Sequence, residues 1–275
     1  MDNILTIDLE DWRQSVFQAN APITGRVLEN TKVLLDLLEA DGIHATFFCQ
    51  GLVAEKYPRL IKDVHAAGHE IATHGWSHKS VKKLGKEKFK EELNHSIRLL
   101  EDICGEKVLG HRAPDFSIDL EMQWVFEIMR EAGLVYDSSI FPIQGKRYGS
   151  PECRVEPYCL DKNFWEIPLS TITLWGRRFP VLGGGYFRLC PYSLSTFFIK
   201  AINAENRPAI IYIHPYELDM VALNDADIPI KIRIHQGLFR SRIMGRLKSL
   251  FKEHKLISIR RLLAKRECSE GQTIF

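Results

Sequence analysis

His74 and His78 stand four residues apart in Thr73-His74-Gly75-Trp76-Ser77-His78, directly after a strand-like run. Upstream, Thr6-Ile7-Asp8-Leu9-Glu10-Asp11-Trp12 crowds three carboxylates into four residues. Neutral imidazoles and carboxylates together suit one divalent cation: zinc first, with cobalt, nickel or iron also compatible. If the two segments meet in space, the chain is expected to be a metal-dependent enzyme. The histidine pair is not an HExxH motif, because Gly75 occupies the place of the glutamate base. Two further groups sit in chemically suggestive places. Arg112 ends a short strand-like run, and His214 ends the apolar run Ile210-Ile211-Tyr212-Ile213. A histidine at the tip of so apolar a strand is either a satisfied core residue or a working group.

The elements that would position these residues follow from periodicity. Ile4–Leu9, His44–Cys49, His69–Thr73, Val108–Arg112 and Leu134–Ser138 have strand character. Between them, Gly25–Ala40, Val53–Ala67 (interrupted near Pro58), Glu87–Ile103 and Asp119–Ala132 (Asp119 as N-cap) have helical spacing. Four times a helix ends in glycine (Gly42, Gly68, Gly105, Gly133) and a strand begins. This βα repeat predicts a parallel sheet or barrel with helices outside. Ligands in such folds bind at the C-terminal ends of the strands. Asp8, Glu10, Asp11, His74, His78, Arg112 and His214 all fall there.

Residues 141–190 break the rhythm with six glycines and prolines before Gly183-Gly184-Gly185 and the aromatic pair Tyr186-Phe187. Short strands are expected near Trp165–Thr173 and Phe179–Leu182. The region is either an insertion that shapes a substrate cleft, with Tyr186 on it, or an irregular β excursion. The triple glycine is no phosphate loop, since no Gly-Lys-Ser/Thr follows. Regularity returns with a helix over Ser193–Asn203, a strand over Ala209–Ile213, a helix near Phe239–Phe251 and a strand over Leu256–Ile259. No linker rich in Gly, Ser or Pro divides the chain, so residues 1–275 are expected to form one domain.

Composition narrows the function classes. With 45% hydrophobic and 26% charged residues the chain is an ordinary globular sequence. A net charge of +2 argues against nucleic acid as a partner of the whole molecule. The charge is uneven, with twelve Lys/Arg and one acid, Glu253, between Lys231 and Arg266. That stretch is either a solvated basic face packed on the barrel or a surface drawn to anionic membrane lipids. No apolar run is long enough to span a bilayer and no export signal is apparent, so a cytoplasmic location is expected, with peripheral membrane contact through 231–266 as an option. The six cysteines form no CxxC pair and are expected to be free thiols.

The ordered set of motifs resembles the NodB-homology polysaccharide deacetylases, carbohydrate esterase family 4. The residues that carry the resemblance are Asp8-Leu9-Glu10-Asp11, His74-Gly75-Trp76-Ser77-His78, Arg112-Ala113-Pro114, Phe164-Trp165-Glu166 and Ile211-Tyr212-Ile213-His214-Pro215. They span residues 3 to about 217. The DxEDW form, Arg-Ala-Pro-Asp-Phe-Ser and Gly-Gly-Gly-Tyr-Phe-Arg are most similar to the branch encoded beside exosortase A (PEP-CTERM) exopolysaccharide loci. The resemblance implies a distorted, seven-stranded (β/α) barrel, with the basic segment about 231–266 packed on it.

It also implies hydrolysis of N-acetyl groups on an amino sugar, within a polysaccharide or a lipid- or nucleotide-linked glycan, during exopolysaccharide synthesis. By family order Asp8 is the base, Arg112 orients it, and His214 protonates the leaving amine. His74 and His78 hold the metal with Glu10 or Asp11. Strand alternation puts Asp8 and Glu10 on one face and Asp11 on the other, which favours Glu10 unless a bulge intervenes. Trp165 is expected either to wall the acetyl methyl or His214, or to pack in the core. The usual adjacent Asp-Asp is replaced here, and Gly75 stands where Ser or Thr is usual. Rival readings are a hydrolase of a small cyclic amide or imide, a non-catalytic glycan-binding member of an assembly complex, and an iron(II) oxygenase built on the same two-His-one-carboxylate set.

Overall fold

The computed structural model describes residues 1–145, 148–161, 163–219, 221, 223 and 227–266. Its centre is a curled sheet. The strands are β1 (Asn3–Leu9), β2 (Thr46–Cys49), β3 (Glu70–Thr73), β4 (Gly110–His111), β5 (Tyr136–Asp137), β6 (Tyr158–Asp161), β7 (Phe164–Glu166), β8 (Thr171–Leu174), β9 (Arg177–Pro180), β10 (Ile210–Ile213) and β11 (Leu256–Ile257). Seven of them lie parallel in the order β10-β1-β2-β3-β4-β5-β7. β6 adds an antiparallel edge to β7, and β11 pairs with the start of β1. β8 and β9 form a separate hairpin. Beyond it, Gly183 bridges to Tyr212, so an irregular segment runs along the free edge of β10. The expected distorted α/β barrel is the observed architecture.

The connecting helices are α1 (Arg26–Ala40), α2 (Gly51–Lys56), α3 (Pro58–Ala66), α4 (Val81–Cys104), α5 (Gln123–Glu131), α6 (Gly184–Leu189), α7 (Tyr192–Ala204), α8 (Ile230–Gly237), α9 (Ile243–Glu253) and α10 (Ile259–Leu263). The expected helix over Val53–Ala67 is two helices. Pro58 forces Tyr57 out of helical geometry, to φ −130° and ψ 62°. Asp119 does not cap α5, which begins at Gln123 after a turn closed by Met122 N–H on the Asp119 carbonyl. The Asp119 side chain instead accepts from Glu121 N and pairs with Lys82. Phe239 takes φ +61°, so the last long helix starts at Ile243. Ile259 opens α10 and does not continue the final strand.

The core has two layers. One lies between sheet and helices, and includes Leu5, Ile7, Leu9, Phe47, Leu34, Leu93 and Leu247. The other fills the barrel with Ile4, Phe48, Ala72, Tyr136, Trp165, Ile210 and Tyr212. α10 plugs the end away from the motif residues with Ile259, Leu262 and Leu263. Its first N–H groups are satisfied from inside the barrel: Ile259 N donates to Thr46 Oγ1 (2.8 Å) and Arg260 N to Glu70 Oε2 (2.9 Å). A carboxylate at this helix start also complements the helix dipole.

Two of the C-terminal basic residues, Arg240 and Arg246, turn inward. Arg246 Nη1 donates to the carbonyls of Phe187 and Arg188, and Arg240 Nη1 to that of Asp219. The expectation of free cysteines needs one correction. Cys49, Cys104, Cys153 and Cys190 are free thiols, but Cys159 is disulfide-bonded. Cys268 lies outside the described residues. Among the described residues no helix is long and apolar enough to cross a membrane.

Candidate active site

The polar rim is built from the ends of five strands. Asp8 lies near the end of β1, and Glu10 and Asp11 follow it. His74 follows β3, Arg112 follows β4, Ser138 follows β5 and His214 follows β10. Between His74 and His78 the backbone does not continue as a helix. Gly75 takes φ +69° and His78 itself takes φ +57°. These left-handed turns bring both imidazoles to one side. A Ser or Thr at position 75 would be strained, which accounts for the glycine.

Glu10, His74 and His78 each offer a ligand atom within 4.8 Å of one another. Glu10 Oε2 stands 3.4 Å from His74 Nε2 and contacts His78 Nε2, yet forms no aligned hydrogen bond and is sealed from solvent. Three donor atoms that face each other without sharing protons in good geometry are what a cation site requires. His74 Nδ1 lies 2.8 Å from the Arg112 carbonyl. Donation there fixes the proton on Nδ1 and leaves the Nε2 lone pair directed at the triad. The donor set therefore fits a divalent metal of the zinc type. Burial pushes the Glu10 carboxyl up, but His78, His74 and His214 outweigh it and hold the group well below its ordinary value.

Asp11 is placed elsewhere. Its Oδ1 accepts from Arg13 N (3.0 Å) and Gln14 N (3.1 Å), starting one wide helical turn over Arg13–Phe17. Its Oδ2 accepts from Thr24 N (2.9 Å) and Thr24 Oγ1 (2.5 Å). Every lone pair is committed to the chain's own loops. Of the two carboxylates left open by the sequence, the structure brings Glu10 to the histidines and turns Asp11 away.

Asp8 is held by Arg112, whose Nη1 lies 2.7 Å from Oδ1. The same Nη1 reaches Thr6 Oγ1, while Nε and Nη2 donate to the carbonyl and hydroxyl of Ser138. The guanidinium also stacks 4.2 Å over Phe48. Arg112 is thus held through all three of its nitrogens and fully buried. On the other side, His214 Nε2 is 3.8 Å from both Asp8 Oδ2 and Glu10 Oε1. Its Nδ1 lies 2.8 Å from Glu217 Oε1. Burial lowers the proton affinity of His214, but the Glu217 hydrogen bond and the charges of Glu10, Glu217 and Asp8 lift its pKa to about 9. His214 can therefore carry a proton at neutral pH.

These groups open into one cavity of about 410 Å³, within the range of small-molecule sites of roughly 300–1,000 Å³. Asp8, Glu10, His74, His78 and His214 lie on its wall beside Asp115, Phe116, Tyr148, Tyr186 and Tyr212. Gly184 and Gly185 also line it. Gly183 must be a glycine because any Cβ there would run into the Tyr212 ring. The irregular segment is thus a cavity wall, with Tyr186 on it. Trp165 is not. It sits on β7 opposite Tyr136, 5% exposed, within the barrel core and away from the cavity lining.

Four contributors were not singled out from sequence. Glu217 follows the His-Pro pair, and a short turn over Pro215–Leu218 swings it back onto His214. An acid three residues past a candidate histidine was the available signal. Ser138 comes from the end of β5 and had no motif to mark it. Asp115 and Phe116 both take positive φ (56° and 51°) on the cavity wall, immediately after Arg112-Ala113-Pro114. Non-glycine residues in this conformation cluster at functional sites.

Residues 22–136 match the model of the family described as polysaccharide deacetylase, and residues 138–264 match that of a domain of unknown function, DUF3473. The acid-bearing strand lies ahead of the first match. Among curated proteins, peptidoglycan-N-acetylglucosamine deacetylase of Bacillus cereus is 30% identical over 104 residues, 38% of this chain and 38% of that protein. Chitin deacetylase 1 of Cryptococcus neoformans is 30% identical over 143 residues, 52% of this chain and 28% of that protein. The chain thus spans well under half the length of these relatives. Among solved structures, a Mycobacterium smegmatis protein assigned to the polysaccharide deacetylases has the same fold, with TM-score 0.64 and 18% identity over 94% of this chain and 87% of that one. Residues 22–136 are therefore similar to the polysaccharide deacetylases, and the chain shares its fold with the Mycobacterium smegmatis protein.

Proposed function

We propose that the protein is a deacetylase that hydrolyses N-acetyl groups on amino sugars with the help of a divalent metal, zinc in the first instance. One observation carries the reading: a two-histidine, one-glutamate cluster opens into the same cavity as an arginine-held aspartate and a histidine held by Glu217. A metal at Glu10, His74 and His78 would polarise an acyl carbonyl and acidify a water molecule. The chain's own residues supply the proton traffic. Asp8 Oδ2 is left open while Oδ1 is held by Arg112, so this carboxylate takes a proton from the attacking water. His214, oriented by Glu217, delivers a proton to the departing amine. The opposed tasks suit groups set in opposite charge states. The cavity's aromatic walls, Phe116, Tyr148 and Tyr186, offer flat apolar surface to a sugar ring and acetyl methyl.

Both matched segments contribute strands to one sheet, and we treat them as one deacetylase unit. The sequence resemblance to the exosortase-associated branch supports a place in exopolysaccharide synthesis. A role on the cytoplasmic membrane face is supported by α8, which presents Ile230 (63% exposed) and Ile234 (60%) beside the cavity in a stretch rich in Lys and Arg. Sedimentation with anionic but not neutral vesicles is expected. Equal recovery with both would remove that surface role.

The activity is tested by acetate release from chitooligosaccharides with zinc- or cobalt-loaded protein, beside a panel of cyclic amides and imides. Acetate from the sugars supports the proposal. Ring opening of the imides alone favours the rival hydrolase, and no turnover of either favours a binding protein.

A further inference from the structure

One cationic residue on the cavity wall has no part in the proton transfers above. Arg188, on α6, is 2% exposed yet lines the cavity. Its Nη1 donates to the backbone carbonyls of His235 (3.2 Å) and Leu238 (2.5 Å), at the end of α8. Among the described residues no carboxylate pairs with it, and its Nε and Nη2 hydrogens have no acceptor. Nη2 lies beside Gly185, itself on the cavity wall, 3.8 Å from where a Cβ would stand.

A buried guanidinium without a counter-ion is costly, and its remaining donors need acceptors. Arg240 and Arg246, in the same layer, are also bonded to carbonyls rather than carboxylates, but neither lines the cavity. His235 and Gln236 line the cavity wall and add further polar contacts. The planar fork of arginine matches oxyanions such as phosphate and carboxylate.

We propose that the α6–α8 wall of the cavity is an anion subsite, in which Arg188 binds a phosphate or carboxylate carried by the reacting sugar or by its immediate neighbour. The proposal rests on the deacetylase reading for the identity of the reacting group, but binding at the subsite does not require turnover. It gives the enzyme a preference for charged glycans, such as phosphate-linked precursors or uronate-containing chains, over neutral ones.

The test is calorimetric titration of the full, metal-loaded chain with glucose 1-phosphate, glucuronic acid and glucose. The wild type is expected to bind one or both anions and to bind glucose at least ~10-fold more weakly. Arg188→Gln should weaken the anion by ~10–100-fold, as for loss of a charge-assisted hydrogen-bonded contact. The anion that shows the larger loss identifies the source. Because Arg188 also ties down α8, His235→Glu provides a second variant that keeps this tie, which uses the backbone carbonyls of His235 and Leu238 and not the His235 side chain. It should weaken anion binding by repulsion while glucose binding stays within ~3-fold. The proposal is overturned if no anion binds better than glucose, or if Arg188→Gln and His235→Glu bind anions as the wild type does. Anion binding through Arg188 without acetate release from any sugar would sink the deacetylase reading and keep the subsite. Acetate release without anion preference would do the reverse.

Discussion

Arg112 Nη1 meets Asp8 Oδ1 at 2.7 Å, with the arginine side chain 0% and the aspartate side chain 3% exposed. This pair is a structural strut buried inside the barrel. Removing the arginine alone would leave a buried charge uncompensated. Arg112→Met is therefore expected to lower unfolding free energy by about 3–5 kcal/mol, read by urea denaturation. A loss under 1 kcal/mol would show that the pair is not the strut described.

Asp8→Asn keeps the shape and the hydrogen-bonding reach but removes the base. Metal content should be unchanged while kcat falls by roughly 10²–10⁴. Near-native turnover in this variant would take Asp8 out of the proton transfer.

Asp11 separates the two carboxylate assignments. Asp11→Ala strips four hydrogen bonds from the loops at Arg13–Gln14 and Thr24, and should cost about 2–4 kcal/mol of stability. Metal stoichiometry should stay at one. Loss of metal with stability intact would reverse the roles of Glu10 and Asp11.

His69 gives a pH prediction away from the cavity. Its Nδ1 accepts from Ala45 N at 3.2 Å, so protonation there breaks the bond. Burial, helped by His44, pulls its pKa down from 6.5 to about 4. The folded state then binds fewer protons than the unfolded one between those values. The stabilisation is whole above pH 6.5 and is lost as pH falls from about 6.5 towards 4. His69→Gln should flatten that limb of the stability profile. An unchanged acid limb would assign it to other groups.

The rim was legible because it depends on local signals. Strand periodicity placed Asp8, His74, Arg112 and His214 at strand ends, and the period of two separated Glu10 from Asp11. What escaped depends on contacts between distant segments. Trp165 faces the barrel interior because its register with Tyr136 sets it there, which a motif match cannot show. Arg188 becomes a cavity residue only when α8 folds over α6. Asp119 looked like a cap from its position, but an extra turn delays α5 by four residues. The bonded state of Cys159 was hidden because pairing is a matter of spatial proximity.

The central claim is that Glu10, His74 and His78 share one cation. Its most direct test is anomalous diffraction at the zinc edge from crystals of the zinc-loaded protein. The account predicts a single strong peak roughly 2.0–2.2 Å from Glu10 Oε2, His74 Nε2 and His78 Nε2. A peak coordinated by Asp11, or no peak at the histidine pair at saturating zinc, would contradict it.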